Sequence, residues 1–294
     1  MHGGAGRVPA EPAHAQREAE GLRAALAAGG DLLAAGGSAL DAVVAAVREL
    51  ERRDVFNAGR GGALDRDGAV ALDALVMEGG SRRAGGVVGV ARIAHPIDAA
   101  LAVLRDGRHV LLAGEGAERF ARERGLAMVD PDYHITAERR AQLARALGER
   151  AGSAGGTVGA VARDAAGHLA AATSTGGLVA RLPGRVSDSA LPGSGTWADD
   201  ATCAVSATGL GDFFIRAGFA RDVDARMRYA SRDLADACAA ALAEVAALGG
   251  NGGCTALAAR GDAVFHFDTD DMPRGVRLGA GAPRVAIYGR DELA

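Results

Sequence analysis

The feature that most limits what this chain can fold into is a change of rhythm at Thr157. Ahead of it, helical and strand-like segments alternate; behind it, strand-like runs dominate the beginning and end of the remainder, with two helices between them. Elements grouped in blocks on both sides of one residue point to layered sheets covered by helices, an α+β arrangement, and not to strict βαβ alternation. In the first part, "AEGLRAALAAGGDLLAAGG" and "SALDAVVAAVRELERR" read as successive helices. Gly36-Gly37 ends the first, and Ser38 caps the second with Asp41 three residues on. Asp67-Gly68 reads as a hairpin turn, "AGGVVGVARI" as a buried strand, and "PIDAALAVLRDG", "HVLLAG" and "EGAERFARERG" as helix, strand and helix. Residues 137–156, "AERRAQLARALGERAGSAGG", read as a helix dissolving into a mobile linker. After Thr157, "TVGAVARDAAGHLAAATSTGG" gives two strands about a turn, and "DDATCAVSATGLG" a third. "DFFIRAGFARDVDARMRYA" and "SRDLADACAAALAEVAALGG" give two helices, the second capped by Ser231. "CTALAARGDAVFHFDT" and "PRVAIYG" supply the closing strands.

Composition removes whole classes of function. With 294 residues, 49% of them hydrophobic, the chain can bury a large core. A net charge of -4 offers no electrostatic case for nucleic acid or an anionic membrane. All 33 basic residues are Arg, so Schiff-base lysine chemistry and the P-loop are excluded. The three cysteines form no CxxC pair and argue for reduced thiols, hence a cytoplasmic protein. No apolar run is long enough to cross a bilayer, and "MHGGAGRVPAEP" has no signal-peptide pattern. There is no GxSxG elbow and no HExxH, and the seven histidines stand singly. "HGGAG" and "GEGAERF" are short Gly-rich turns without the wider dinucleotide-binding fingerprint.

Thr157 itself carries a specific chemistry. Were the chain cut before it, its α-amine, of pKa about 7.7–8.0, would stand beside its own hydroxyl, and one residue would supply nucleophile and general base together. β-Branching restricts χ1 and holds the hydroxyl in one orientation. Gly155-Gly156 would allow the strained backbone of an N→O acyl shift. Taken alone, "GGT" before an apolar run is equally an ordinary loop entering a strand.

The company Thr157 keeps changes the odds. "HGGAG" at His2, "FNAGRG" at Phe56, "LDALVMEG" at Leu72, "GTVGAVARD" at Gly156, "ATSTGG" at Ala172, "LPGRVSDSALPGSG" at Leu182 and "ATGLGDFFIR" at Ala207 follow one another in order. Together they resemble the plant-type L-asparaginases, or isoaspartyl peptidases, of the N-terminal nucleophile hydrolases. The resemblance covers nearly the whole chain. It implies a single four-layer αββα domain over 1–294, self-cleaved into an α subunit, 1–156, and a β subunit, 157–294. It implies Thr157 as nucleophile, Thr175 as the threonine that tunes it, and Thr208 and Gly209 as the oxyanion hole. Arg185 and Asp188 become the clamp on the substrate's carboxylate and ammonium, with Thr208 and Gly211 lining the substrate site. Such a division of labour makes chemical sense, since an Arg fork suits a carboxylate and a carboxylate suits an ammonium. Without the resemblance, Arg185 and Asp188 would read as a surface salt bridge. Gly156, Thr157 and Asn57 would serve self-processing, although Asn57 alone also reads as the Asx residue of a turn. The resemblance further implies a structural sodium ion on the main-chain oxygens of Leu50, Glu51, Arg53, Phe56, Ala58 and Arg60, no cofactor for catalysis, an amino-acid or dipeptide substrate, and a dimer of αβ units.

Three departures matter. Met1 directly precedes "HGGAG", where the family usually has an apolar strand, so either the start is assigned too late or an edge strand is missing. Val179-Ala180-Arg181 replaces the family's polar "TNK", which bears on leaving-group preference and dimer contacts. Ser187 stands for a usual Gly, and "TGLGD" for "TGTGE"; "SGTWADDA" and "TGLGD" lean slightly toward the glycosylasparaginase branch, although that branch carries "HDTIG" at its nucleophile where this chain has "GGTVG". The readings to separate are therefore a self-processing β-aspartyl peptidase and asparaginase, a glycosylasparaginase-like amidase, and a non-processing relative that only binds an amino acid.

Overall fold

A computed structural model describes residues 1–149, 156–261 and 263–294. In chain order the elements are α1 (Pro12–Ala34), α2 (Ala39–Glu51), β1 (Leu72–Glu78), β2 (Ala84–Val90), α3 (Pro96–Asp106), β3 (Leu111–Ala113), α4 (Gly114–Glu123) and α5 (Ala137–Glu149). They continue with β4 (Val158–Arg163), β5 (Leu169–Thr175), β6 (Thr196–Ala198), β7 (Cys203–Gly209), α6 (Gly211–Ala217), α7 (Phe219–Ala230), α8 (Leu234–Ala247), β8 (Gly252–Ala258), β9 (Ala263–Phe267), β10 (Asp271–Val276) and β11 (Arg284–Tyr288). The chain is thus mixed α+β.

One sheet has the order β3-β2-β1-β5-β4, antiparallel except for the β2–β3 pair; a second has the order β6-β7-β8-β9 and is antiparallel throughout. His2 bridges Gly159 of β4 and Arg274 of the β10–β11 pair, so Met1 and His2 lie between strands. The expected gap at an edge is instead a short interior segment. Apolar side chains collect in three clusters: Leu22, Val47, Leu50 and Ile97 where α1–α3 cover the first sheet; Phe214, Phe219, Val223 and Val245 where α6–α8 cover the second; and Leu75, Met77, Leu169 and Ala204 between the sheets. Burial of these alternating apolar faces is the main force holding the elements together.

Several local readings hold. Ser38 caps α2, its hydroxyl accepting from the Asp41 amide, and Leu64 bridges Val70 across the Asp67-Gly68 turn. Others need correction. The expected single helix after Gly211 breaks at Gly218, whose φ of +59° turns the chain between α6 and α7. Ser231 does not cap α8: it closes α7 with φ 52°, and Asp233 caps α8 by accepting from the Asp236 amide. The stretch 137–156, read as a helix dissolving into a mobile linker, begins with the expected helix, but α5 runs to Glu149 and docks through buried Leu143 and Ala146 where a mobile linker was expected; residues 150–155 of that reading lie outside the described residues. Strand β10 went unread because Pro273 and Gly275 break its apolar alternation.

Candidate active site

The hairpin register places Thr157. Residues 164–167 form the turn between β4 and β5, and Asp164 Oδ1 accepts from the amides of Ala166 and His168 at 3.0 Å each. Across the hairpin Val158 faces Ser174 and Arg163 faces Leu169, so the next pair outward is Thr157 and Thr175. Thr157 Oγ1 donates to Thr175 Oγ1 at 3.1 Å, and both residues are buried. Thr175 Oγ1 also accepts from the Gly177 amide at 2.9 Å, which leaves its proton for the Gly156 carbonyl, 3.3 Å away. Asn57 Nδ2 donates to the same carbonyl and, at 2.8 Å, to that of Gly177. Asn57 Oδ1 accepts from the Ala63 amide at 2.6 Å. Its carboxamide therefore ties the Gly156-Thr157 bond to the loop after β5 and is no Asx turn.

The "HGGAG" segment braces the junction from the other side. His2 Nδ1 donates to the Thr157 carbonyl at 2.9 Å and Nε2 accepts from Ser206 Oγ at 3.0 Å. Burial, with the nearby N-terminal charge, pushes its pKa down to about 3, so the ring is a neutral strut. At Gly4, φ is +125° and a Cβ would lie 2.8 Å from the Gly156 Cα, so only glycine lets this segment pass. The Ala5 amide donates to Thr208 Oγ1 at 3.0 Å, which joins the expected oxyanion-hole threonine to the same segment; Gly209 follows it at the end of β7 with φ +144°.

Arg185 and Asp188 meet at Gly211. A Cβ on Gly211 would run into the Asp188 carboxylate and stand 3.0 Å from Arg185 Nη2. The two do not form the salt bridge that their spacing suggested: Arg185 Nη2 pairs with Asp212 Oδ2 at 3.0 Å. Asp188 is buried, and its Oδ2 has no hydrogen-bond partner. Desolvation pushes its carboxyl up to about 7 against the opposing pull of Arg185. An ammonium at Oδ2 would satisfy the group and return it to the charged form.

The turn after α2 carries the oxygens expected to hold sodium. Those of Leu50, Glu51 and Arg53 accept from the amides of Arg53, Arg60 and Phe56 at 3.1, 2.8 and 3.2 Å, while those of Phe56, Ala58 and Arg60 accept no hydrogen bond among the described residues. Neutral oxygens with free lone pairs are the ligands a hard cation takes, so this donor set fits. Among the described residues no three His, Cys, Asp or Glu side chains cluster as a metal site.

Sequence reading gave no role to His2, Ser206 and Asp73, and took Arg181 only as part of a departure from the family pattern. His2 and Asp73 lie inside blocks it had quoted, "HGGAG" and "LDALVMEG". Asp73 faces Thr175 across β1–β5 and accepts from the Ser187 amide at 2.8 Å, which positions the residue before Asp188.

With this geometry in place, the comparison with known proteins is direct. The asparaginase family model matches residues 1–287. The chain belongs to that family. It is 45% identical to the isoaspartyl peptidase of Salmonella typhimurium, over 98% of this chain and 97% of the relative. It is 37% identical to the probable isoaspartyl peptidase/L-asparaginase 2 of Arabidopsis thaliana, covering 98% of each. To the plant-type L-asparaginase of Pyrobaculum calidifontis it is 39% identical, covering 94% of this chain and 95% of the relative. No helix among the described residues is long and apolar enough to cross a membrane.

Proposed function

We propose that this asparaginase-family chain is a self-processing amidohydrolase that cleaves the side-chain amide of L-asparagine and of β-aspartyl (isoaspartyl) peptides. The observation that carries the reading is the order of protons at the junction: Thr157 Oγ donates to Thr175, and Thr175 with Asn57 donates to the Gly156 carbonyl. Thr157 Oγ attacks that carbonyl, and the donors stabilise the developing oxyanion. The peptide nitrogen takes the hydroxyl proton and leaves as the Thr157 amine. Water then hydrolyses the ester to a Gly156 carboxylate. This gives subunits 1–156 and 157–294 within one αββα sandwich, a layering supported by the three separate apolar clusters.

In the mature enzyme the freed amine accepts the Thr157 hydroxyl proton as Oγ attacks the substrate's side-chain carbonyl. Thr208 and Gly209 hold the oxyanion, Arg185 takes the α-carboxylate, and Asp188 with Gly211 takes the α-ammonium. Ammonia or an amine leaves with the proton, and water releases aspartate. A sodium ion on the carbonyls of 50–60 would hold the turn that carries Asn57. Two such αβ units would associate in the cytoplasm.

Intact mass measurement tests the reading. The wild type yields a fragment beginning at Thr157, releases ammonia from asparagine and releases leucine from β-aspartyl-leucine; Thr157→Ala stays whole. A wild type that remains uncut, or that acts only on glycosylated asparagine, overturns it.

A further inference from the structure

Arg181, in the loop after β5, is 7% exposed yet donates to no carboxylate. Its guanidinium instead gathers three main-chain oxygens: Nη1 donates to Ala63 at 3.0 Å and Leu178 at 3.2 Å, and Nη2 to Ala71 at 2.7 Å. No other donor reaches these three carbonyls among the described residues. Asp65 and Asp73 supply compensating charge only through space. A buried cation held by neutral carbonyls is the arrangement a bound alkali ion would make.

Two routes lead from this guanidinium to the chemistry. The Ala63 peptide is pinned at both ends, its oxygen by Arg181 and its N–H by Asn57 Oδ1, and Asn57 in turn donates to the Gly156 carbonyl. On the other side lies Gly177, with φ +76°; a Cβ there would stand 3.1 Å from Arg181 Cδ and Nε and 3.3 Å from Arg185 Nη1. The same Gly177 donates its amide to Thr175.

We infer that Arg181 is a positioning residue that acts as a covalently tethered cation, holding the 63–71 turn and the 177–181 loop together so that Asn57 addresses the scissile carbonyl and Arg185 faces the substrate carboxylate. The inference rests on the amidohydrolase reading. Loss of the guanidinium would leave three buried carbonyls without donors, and only the main-chain bonds from the Ala180 amide to Leu64 and from the Arg66 amide to Arg181 would still tie the two segments, which loosens their fit. Lysine keeps the charge but cannot span three oxygens in one plane.

The test uses the full-length chain carrying Arg181→Ala, which leaves room for a small cation, and Arg181→Lys. In Arg181→Ala, self-cleavage slows about ten-fold and KM for asparagine rises about ten-fold, the scale of a lost charge-assisted hydrogen bond, while kcat of the mature fraction stays within about three-fold. Low-millimolar methylguanidinium restores both the cleavage rate and KM saturably, and Arg181→Lys falls between. Unchanged cleavage and KM overturn the inference, as does a loss indifferent to methylguanidinium. If Arg181→Ala does not fold, Arg181→Lys is decisive through the same KM-against-kcat split, and an unshifted KM overturns it. Hydrogen exchange over 57–71 and 176–186, measured in a Thr157→Ala background, gives a readout independent of activity. Faster exchange that methylguanidinium reverses supports Arg181 even if the parent proves uncut and inactive, a result that would fell the amidohydrolase reading alone; unchanged exchange overturns the inference.

Discussion

Around Thr157 the polar groups are neutral and already paired, whereas around Asp188 they are charged or left over. The hydroxyls of Thr157 and Thr175, the Asn57 carboxamide and the His2 ring all have partners fixed by strands or by the segment at the N-terminus. On the clamp side Asp188 Oδ2, Ser187 Oγ and Ser189 Oγ are buried without partners, and Arg185 is satisfied through half-exposed Asp212. A buried carboxylate with an empty lone pair costs stability until something binds it. On the proposed reading, the difference teaches that the cutting machinery is complete in the precursor, while the binding machinery is completed by its ligand.

The sharpest way to break that comparison is Thr157→Ala, which should abolish both self-cleavage and hydrolysis, as seen in intact mass and ammonia release. Thr175→Val keeps the shape but removes the hydroxyl that relays between nucleophile and scissile carbonyl. Cleavage should slow about 10²–10³-fold, with Thr175→Ser retaining most of it, when the precursor is followed by denaturing electrophoresis.

Asp188→Asn should act oppositely on the two properties of the clamp. KM should rise about a hundred-fold as the ammonium loses its charged partner. Stability should rise at pH 8, for a reason whose sign can be worked out. The folded pKa, raised from 3.8 to about 7, exceeds the unfolded one, so the folded state holds the proton more tightly. The wild type therefore loses stability as pH rises from about 4 to about 7, and the variant is spared that loss; melting temperatures across this range check it. At the small end, Ser38→Ala removes the α2 cap and should cost about 1 kcal/mol in denaturant unfolding while leaving KM unchanged.

The two regions also differed in how far the sequence disclosed them. The sequence shows a hairpin here, but one centred on the Asp164–Gly167 turn would set Thr157 opposite Ser174; the observed register, with Arg163 facing Leu169, centres on Ala166 and brings Thr157 opposite Thr175. The elements themselves were largely legible, since apolar period and caps are local properties. The clamp was readable only through resemblance, because the meeting of Arg185, Asp188 and Gly211 depends on where α6 begins relative to a loop. The contacts of Arg181 and His2 went unread because their partners are distant main-chain oxygens and a hydroxyl, which leave no pattern in side-chain identity. The misplaced cap of α8 has a local cause: Ser231 and Asp233 both suit a cap, and only the left-handed close of α7 decides between them.

The turn at 164–167 sits at the far end of the hairpin from the reacting atoms, yet it sets the phase of both strands. Asp164 holds the turn's shape by accepting two amides and Gly167 by a φ of +87°, and the number of residues matters as much, because gaining or losing one would rotate every later side chain to the opposite face. A spot at the far end of the hairpin from the chemistry is therefore one where insertions and deletions should be rare.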